Sequence, residues 1–315
     1  MDKAISRKIN FYRFLFTLGI VLYHARALAP INGAENNDGF LIETYALFTD
    51  QIGFTSMSFF FFTSGFLLYY GASPSTIMRK MKTRIKSLLI PFIIWQVTVL
   101  LLARLLWPNQ TSLHFNPLNL FFRSPIAGPL WYCLALLILM IPAPILVRIK
   151  SKALLTILAM IIIGHSLTRD LGILFSPISF SHWWWYDNMI GYLLPYVLGC
   201  YIALIRPSIL VSAKSKYTPY MLIGILLFIT TTYLWHYHSS LLPNVIFSFL
   251  QLTAFWSMLN PSWFKADMPK FFDCAFYIFA LHQPILIPLF NTCVICFLNP
   301  LAPFANFTIV LLKLV

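Results

Sequence analysis

Residues 11–28 read FYRFLFTLGIVLYHARAL, an apolar block interrupted by single polar side chains. Two further blocks follow, IGFTSMSFFFFTSGFLLYY at 52–70 and LLIPFIIWQVTVLLLARLLW at 88–107. A helix that crosses a bilayer needs about 20 predominantly apolar residues, and each block approaches that length. Backbone groups within lipid must be hydrogen-bonded inside the segment, so helices are the expected conformation. The sequence therefore predicts an all-α integral membrane protein.

The composition of the whole chain agrees with a membrane location. Of its 315 residues, 59% are hydrophobic and only 10% are charged, whereas soluble domains carry about 25% charged residues. The first apolar block is too long for a signal-peptide core and no small-residue cleavage pattern follows it, so we expect it to be the first membrane helix. The net charge of +13 does not indicate nucleic-acid binding, because the basic residues lie at the ends of apolar segments.

The chain is predicted to form one membrane domain, residues 1–315, with about ten transmembrane helices. The predicted spans are about 9–29, 52–71, 88–107, 128–147, 153–168, 188–205, 218–236, 242–259, 271–290 and 298–315. With the N-terminus in the cytoplasm, all but four of the 22 lysines and arginines fall on the cytoplasmic side, as the positive-inside rule requires. Both termini are therefore predicted to be cytoplasmic, in a multi-pass protein of a bacterial inner membrane.

Two polar side chains of the first block share a helix face. Arg13 and His24 are eleven residues apart, and eleven steps of about 100° return to within about 20° of the same direction, roughly 16 Å further along the axis. A charge within a span costs about 2.5–3.5 kcal/mol at the helix centre and less near the interface. Imidazole takes up and releases protons near neutral pH, which suits acid–base chemistry. A snorkelling arginine beside a packed histidine explains the pair equally well.

Two other spans contain candidate site residues. Ser64 and Gly65 form a small pair within a bulky aromatic run, where plain helix packing competes with the close approach of a ligand. His282 is a second imidazole within a span, and a structural hydrogen bond there competes with a functional role. No metal site is predicted, because most cysteines lie in apolar runs and the CxxC at Cys293 and Cys296 has no second pair.

The cytoplasmic segment between the second and third spans is strongly basic. It reads RKMKTRIK at 79–86, with five cations in eight residues. Such a cluster satisfies the orientation rule and also binds anionic lipid or the phosphates of a cofactor through charge-assisted contacts. These interpretations are compatible with one another.

Several of these motifs, taken in order, resemble the acyltransferase 3 family of membrane acyltransferases over nearly the whole chain. The first helix has the family's arginine and histidine separated by ten residues. The other matching elements are FFFTSGFL at 60–67, LLIPFIIW at 88–95, GPLWY at 128–132 and HQP at 282–284. The sequence departs from the pattern at Ser58, where relatives often have an acid. It also lacks the soluble esterase-like domain of longer relatives, so we expect transfer to finish at the membrane site.

The resemblance implies an acetyl-CoA-dependent O-acetyltransferase that moves an acyl group from cytoplasmic acyl-CoA to a sugar hydroxyl. The acceptor would be a cell-surface glycan, such as lipopolysaccharide or capsular polysaccharide, or a lipid-linked saccharide. It implies a catalytic His24 with Arg13 as its essential partner. The implied binding residues are Arg79, Lys82, Arg84 and Lys86 for the CoA phosphates, and Ser64, Trp131 and His282 for the substrate pocket.

Two chemical routes and two other functions remain open at this stage. In one route His24 deprotonates the sugar hydroxyl for direct attack, and in the other a histidine is transiently acylated. Arg13, about 16 Å from His24 along a straight helix, is expected to contact the phosphate or pantetheine part of CoA. The alternative functions are a translocator of polysaccharide or lipid-linked sugar without covalent chemistry, and a scaffold within a glycan-assembly complex.

Overall fold

A computed structural model describes residues 3–26, 39–106, 128–170, 189–205, 207, 217–238, 244–259, 269–282 and 286–287. This part of the chain is 89% helical and contains no strand, which confirms the all-α class. The tenth predicted span, 298–315, lies outside the described residues, as do Gln283 and Pro284 of the late histidine–proline element.

Each of the first nine predicted spans overlaps a described helix, with bounds that differ from the prediction, most of all in the second span, where the helix begins at Gly39 and not at 52. They are α1 (Lys3–Arg26), α2 (Gly39–Tyr69), α3 (Ile77–Leu106), α4 (Trp131–Leu139), α5 (Ala143–Leu146), α6 (Lys152–Asp170), α7 (Leu193–Ile205), α8 (Tyr217–His238), α9 (Asn244–Met258) and α10 (Ala275–Leu281). Short 3-10 helices at Gly128–Leu130 and Lys270–Cys274 lead into α4 and α10. Among the residues that the structure describes, two stretches are long and apolar enough to cross a membrane, Leu47–Tyr69 in α2 and Ile77–Leu101 in α3.

The outer faces of α6, α8 and the second half of α3 are largely apolar, whereas several polar side chains are buried. Leu105, Ile161 and Leu226 are between 62% and 76% exposed. Buried polar residues include Thr17, Thr55, Ser56, Ser58, Gln96, Gln251 and His282. Water-soluble surfaces rarely carry large contiguous apolar patches, so this distribution suits a protein whose surroundings are lipid.

Two glycines let α2 and α7 approach each other closely. A Cβ atom at Gly199 would collide with the Phe62 carbonyl oxygen and lie 3.0 Å from the Phe66 nitrogen. A Cβ atom at Gly65 would collide with the Tyr196 carbonyl oxygen. Gly65 therefore serves helix packing, which is the use of small residues that membrane helices commonly make.

Side-chain contacts give the relative directions of packed helices. The contacts that define two pairs are Gly19 with Ser56 and Tyr23 with Gly53 (α1 and α2, antiparallel), and Phe61 with Tyr192 and Gly65 with Cys200 (α2 and α7, parallel). A third pair, α8 and α9, is antiparallel, since Gly224 approaches Ser257 whereas Thr231 bonds to Gln251. Helices from distant parts of the chain thus lie along a common axis.

Candidate functional site

The segment 270–282 runs parallel to α1 and meets it at two polar points. Near one end, an Arg13 nitrogen lies 3.8 Å from an Asp273 carboxylate oxygen. At the other end, the ring centroids of His24 and His282 are 5.1 Å apart. Because Arg13 and His24 contact the same segment, they lie on one face of α1, as their spacing predicted.

The Arg13 end of this face is open. Exposed fractions are 45% for the Arg13 side chain and 74% for Asp273. An exposed pair at this separation contributes only about 0–1 kcal/mol, so the guanidinium keeps donors available for a third group. Sequence reasoning missed Asp273, since a lone acid just ahead of a predicted span carries no periodic signal.

His282 is held in one tautomer by its backbone contact. Its side chain is fully buried, and Nδ1 lies 2.7 Å from the Phe279 carbonyl oxygen. A carbonyl only accepts hydrogen bonds, so Nδ1 carries the proton and the neutral ring presents Nε2 as an acceptor. That Nε2 atom is buried and has no partner among the described residues. An unsatisfied buried acceptor is costly, which marks it as a site prepared for a donor.

His24 provides the second imidazole of the pair. It is half-buried and packs between the Tyr23 ring, at 5.0 Å, and the His282 ring. No hydrogen bond joins His24 to another described residue, so none of the described residues competes with a substrate or with His282 for its ring nitrogens. Two adjacent imidazoles, one fixed as an acceptor, are groups that can remove and hold a proton.

Ser64 lies in a separate polar cluster with Tyr132. The two hydroxyl oxygens are 2.6 Å apart, and the Tyr132 hydroxyl donates to the Phe60 carbonyl oxygen at 3.0 Å. Because a phenol has one proton, Ser64 must donate to Tyr132. Trp131 instead packs against Phe61, with ring centroids 5.8 Å apart. Neighbouring helix residues point about 100° apart. The prediction chose Trp131, whereas Tyr132, the next residue, is the one that contacts Ser64.

The basic segment divides between two faces of α3. Arg79, Lys82 and Lys86 are exposed, and their spacing of three and four residues places them on one side of the helix. Arg84 is half-buried and donates to the Ser64 carbonyl oxygen at 3.4 Å. Of the four predicted binding residues, three therefore face outward together, and Arg84 points toward Ser64.

Lys80, which was not among the predicted site residues, caps α2. Its ammonium group donates to the carbonyl oxygens of Leu68, at 3.3 Å, and Tyr70. Carbonyl groups at a helix C-terminus lack intrahelical partners and favour a nearby cation. The basic segment thus has a structural member as well as the exposed ones.

Aromatic side chains separate the two polar clusters. The Phe279 ring lies 5.9 Å from His282 and 6.0 Å from Tyr132, and the Phe60 ring lies 6.2 Å from Phe279. The structure brings His24 and His282 together, and it brings Ser64 and Arg84 together. Phe279 and Phe60 lie between the groups.

The sequence matches the family model described as an acyltransferase domain over residues 7–312. No curated protein and no solved structure matches the chain. The matched region includes His24, the whole 270–282 segment, and α2, α3 and α4. The chain therefore belongs to the acyltransferase 3 family of membrane acyltransferases.

Proposed function

We propose that this protein is a multi-pass inner-membrane O-acetyltransferase. It moves an acetyl group from cytoplasmic acetyl-CoA to a sugar hydroxyl of a cell-surface glycan or of its lipid-linked precursor. The observation that carries the proposal is the pairing of His24 with His282, in which a free imidazole adjoins a buried acceptor that lacks a donor.

Helix directions support a chain that crosses the membrane repeatedly. In such a chain, spans separated by an odd number of steps are antiparallel, and spans separated by an even number are parallel. The first and second spans are antiparallel, the second and sixth are parallel, and the first and ninth are parallel. Each of these three pairs has the direction expected if the first nine spans cross the membrane in succession.

The donor would bind from the cytoplasmic side. The exposed side chains of Arg79, Lys82 and Lys86 form the surface for the CoA phosphates, which charge-assisted contacts stabilise. Arg84 and Ser64 lie deeper, where they line a small cavity together with Leu88 and Tyr196. Arg13 contributes a further cation, which lies at the open end of α1. The acyl arm extends from these cations toward the histidines, and Phe279 and Phe60 must turn aside to admit it.

Direct transfer is the chemistry that we assign to the histidine pair. One nitrogen of His24 donates to Nε2 of His282, and the other takes the proton of the acceptor hydroxyl. The hydroxyl oxygen attacks the thioester carbonyl carbon, the carbon–sulfur bond breaks, and the CoA thiolate receives the proton from His24. The products are the sugar ester and free CoA. His282 acts here as a positioning residue, since it touches His24 and not the reacting atoms.

The proposal is tested with the exchange His24→Ala. Inside-out membrane vesicles receive labelled acetyl-CoA, and label incorporated into glycan is measured by mass analysis. We expect His24→Ala to abolish incorporation while membrane insertion is retained. His165→Ala is the matched control, because His165 is an exposed histidine of α6, and it should retain normal incorporation. Near-normal labelling by His24→Ala would eliminate the assignment.

Binding of CoA separates an enzyme from a translocator. A ligand that binds only the folded state raises the unfolding temperature. We expect CoA to raise it for the parent protein and to have less effect on the variant Arg79→Gln/Lys82→Gln/Lys86→Gln. A protein that only translocates sugars has no site for CoA, and CoA should not change its unfolding temperature. An unchanged unfolding temperature at saturating CoA therefore counts against acyl transfer.

A further inference from the structure

An apolar cleft lies among α2, α5, α6 and α7, apart from the histidine pair. Its walls include Tyr69, Leu146, Leu155, Ile162 and Leu204, and it holds about 610 Å³ of unfilled space, part of it open to the surroundings. From Leu155 to Ile162 the cleft follows α6 for roughly 10 Å, at 1.5 Å per residue. Since one leaflet contributes about 15 Å of hydrocarbon, the cleft is long enough for much of one lipid chain.

One polar atom of this cleft lacks a partner. The Tyr196 hydroxyl donates to the Leu139 carbonyl oxygen at 3.1 Å, and the Tyr201 hydroxyl is 3.0 Å from that of Thr156. The third tyrosine, Tyr69, is only 1% exposed, and its hydroxyl has no partner among the described residues. Because an unsatisfied buried hydroxyl is costly, a ligand that brings an acceptor to Tyr69 has an advantage over a plain hydrocarbon.

Three cations lie at one end of the cleft. Leu146 and Leu155 both belong to its wall, and the turn between them carries Arg148, Lys150 and Lys152, all exposed. The positive-inside rule places this turn in the cytoplasm. Tyr69 is the last residue of α2, so its hydroxyl lies toward the same end of the cleft as the cations.

We propose that this cleft binds an anionic glycerophospholipid of the cytoplasmic leaflet. One acyl chain fills the apolar walls, an ester carbonyl accepts the Tyr69 hydrogen bond, and the phosphate faces Arg148, Lys150 and Lys152. A zwitterionic lipid with the same chains lacks the net charge, and a polyprenyl phosphate lacks the ester carbonyl. The site is independent of acyl transfer.

Charge is tested first, with the full-length protein in detergent. Native mass spectrometry measures the binding of phosphatidylglycerol and of phosphatidylcholine with identical chains. Each cation contributes about fivefold to the binding of an anionic lipid, so Lys150→Gln/Lys152→Gln should weaken phosphatidylglycerol binding by about 25-fold and leave phosphatidylcholine binding unchanged. The control Lys3→Gln/Lys270→Gln removes the same charge from exposed positions elsewhere. Equal affinity of the parent protein for both lipids, or an equal loss in the control, overturns the proposal.

Cleft occupancy is tested with matched exchanges on one helix. Ala159 lines the cleft, and Ala159→Phe should abolish lipid binding. Gly164 lies on the same helix with open space around its Cβ position, so Gly164→Phe should bind normally. Tyr69→Phe removes only the unpartnered hydroxyl and should weaken binding of both lipids about fivefold, without lowering the unfolding temperature of the lipid-free protein. Undiminished binding by both Ala159→Phe and Tyr69→Phe would place the lipid elsewhere. Equal binding of a polyprenyl phosphate by the parent protein would overturn the assignment of a glycerophospholipid.

Discussion

Two exchanges at His282 separate the two nitrogens of its ring. His282→Asn keeps a side-chain N–H near the position of Nδ1, which bonds to the Phe279 carbonyl oxygen at 2.7 Å, and removes the acceptor Nε2. His282→Gln places an amide oxygen near the position of Nε2 and loses the Nδ1 donor. If Nε2 orients His24 during transfer, the asparagine variant loses activity and the glutamine variant retains part of it.

The size of the effect follows from the burial of Nε2. A buried acceptor without a partner costs about 1–3 kcal/mol, and the protein recovers this energy when His24 donates to it in the reacting complex. Loss of that gain lowers the rate by about 5- to 160-fold, at 1.36 kcal/mol per factor of ten. For His282→Gln, the missing bond to Phe279 lowers the free energy of unfolding by about 0.5–1.5 kcal/mol.

Initial rates of acetyl incorporation in vesicles, measured beside thermal unfolding in detergent, distinguish the two effects. The expected order of rates is parent, glutamine, asparagine, while the order of stabilities places asparagine above glutamine. A fully active His282→Asn would refute the role of Nε2 even if His24→Ala is inactive. If His24→Ala is also active, the acyltransfer site itself is misplaced.

Three further exchanges test the packing and the polar contacts around the site. Gly199→Ala puts a methyl group against the Phe62 backbone and should lower the free energy of unfolding by about 3 kcal/mol or more. The control Gly164→Ala adds a methyl group where the space is open and should be neutral or stabilising in the same thermal assay. Tyr132→Phe removes hydrogen bonds of 2.6 and 3.0 Å and should lower the free energy of unfolding by about 1–2 kcal/mol; an unchanged unfolding temperature contradicts the bonding assigned to Ser64. Asp273→Asn removes an exposed ion pair and should lower the free energy of unfolding by less than about 1 kcal/mol. The KM for acetyl-CoA should rise if Asp273 holds Arg13 toward the donor, and an unchanged KM would show that Asp273 has no part in donor binding.

Helical periodicity was sufficient to predict the face that Arg13 and His24 share, because rotation per residue is a local property of the backbone. The sequence did not separate Arg84 from the exposed cations of α3, since spacing alone does not reveal which side of a helix meets a neighbour. The contact between His24 and His282 joins residues 258 positions apart. No local pattern specifies such a contact, and the family resemblance implied only that His282 belongs to the substrate pocket.

Lys8 illustrates what charge counting overlooks. The orientation rule counts Lys8 among the cytoplasmic cations, yet its side chain is only 1% exposed. Its ammonium group donates to the Trp256 carbonyl oxygen at 2.5 Å and lies 4.0 Å from the centroid of the Trp256 ring. Together with Tyr12, which donates to the Phe255 carbonyl oxygen, it caps the C-terminal end of α9. A residue can therefore satisfy the topology rule and still be a core contact.

In the proposed mechanism, the register between α1 and the 270–282 segment links donor binding to chemistry. Phe14 packs against Phe272 with ring centroids 4.7 Å apart, directly beside the contact of Arg13 with Asp273, and the contact of His24 with His282 lies further along both elements. Because both contacts lie on the same pair of elements, a slip of one helical turn, about 5.4 Å, would break them together. Arg13 and His24 are thus held at a fixed separation along α1. The proposed donor, bound through its phosphates and reacting at its acetyl end, would need two groups held apart in this way.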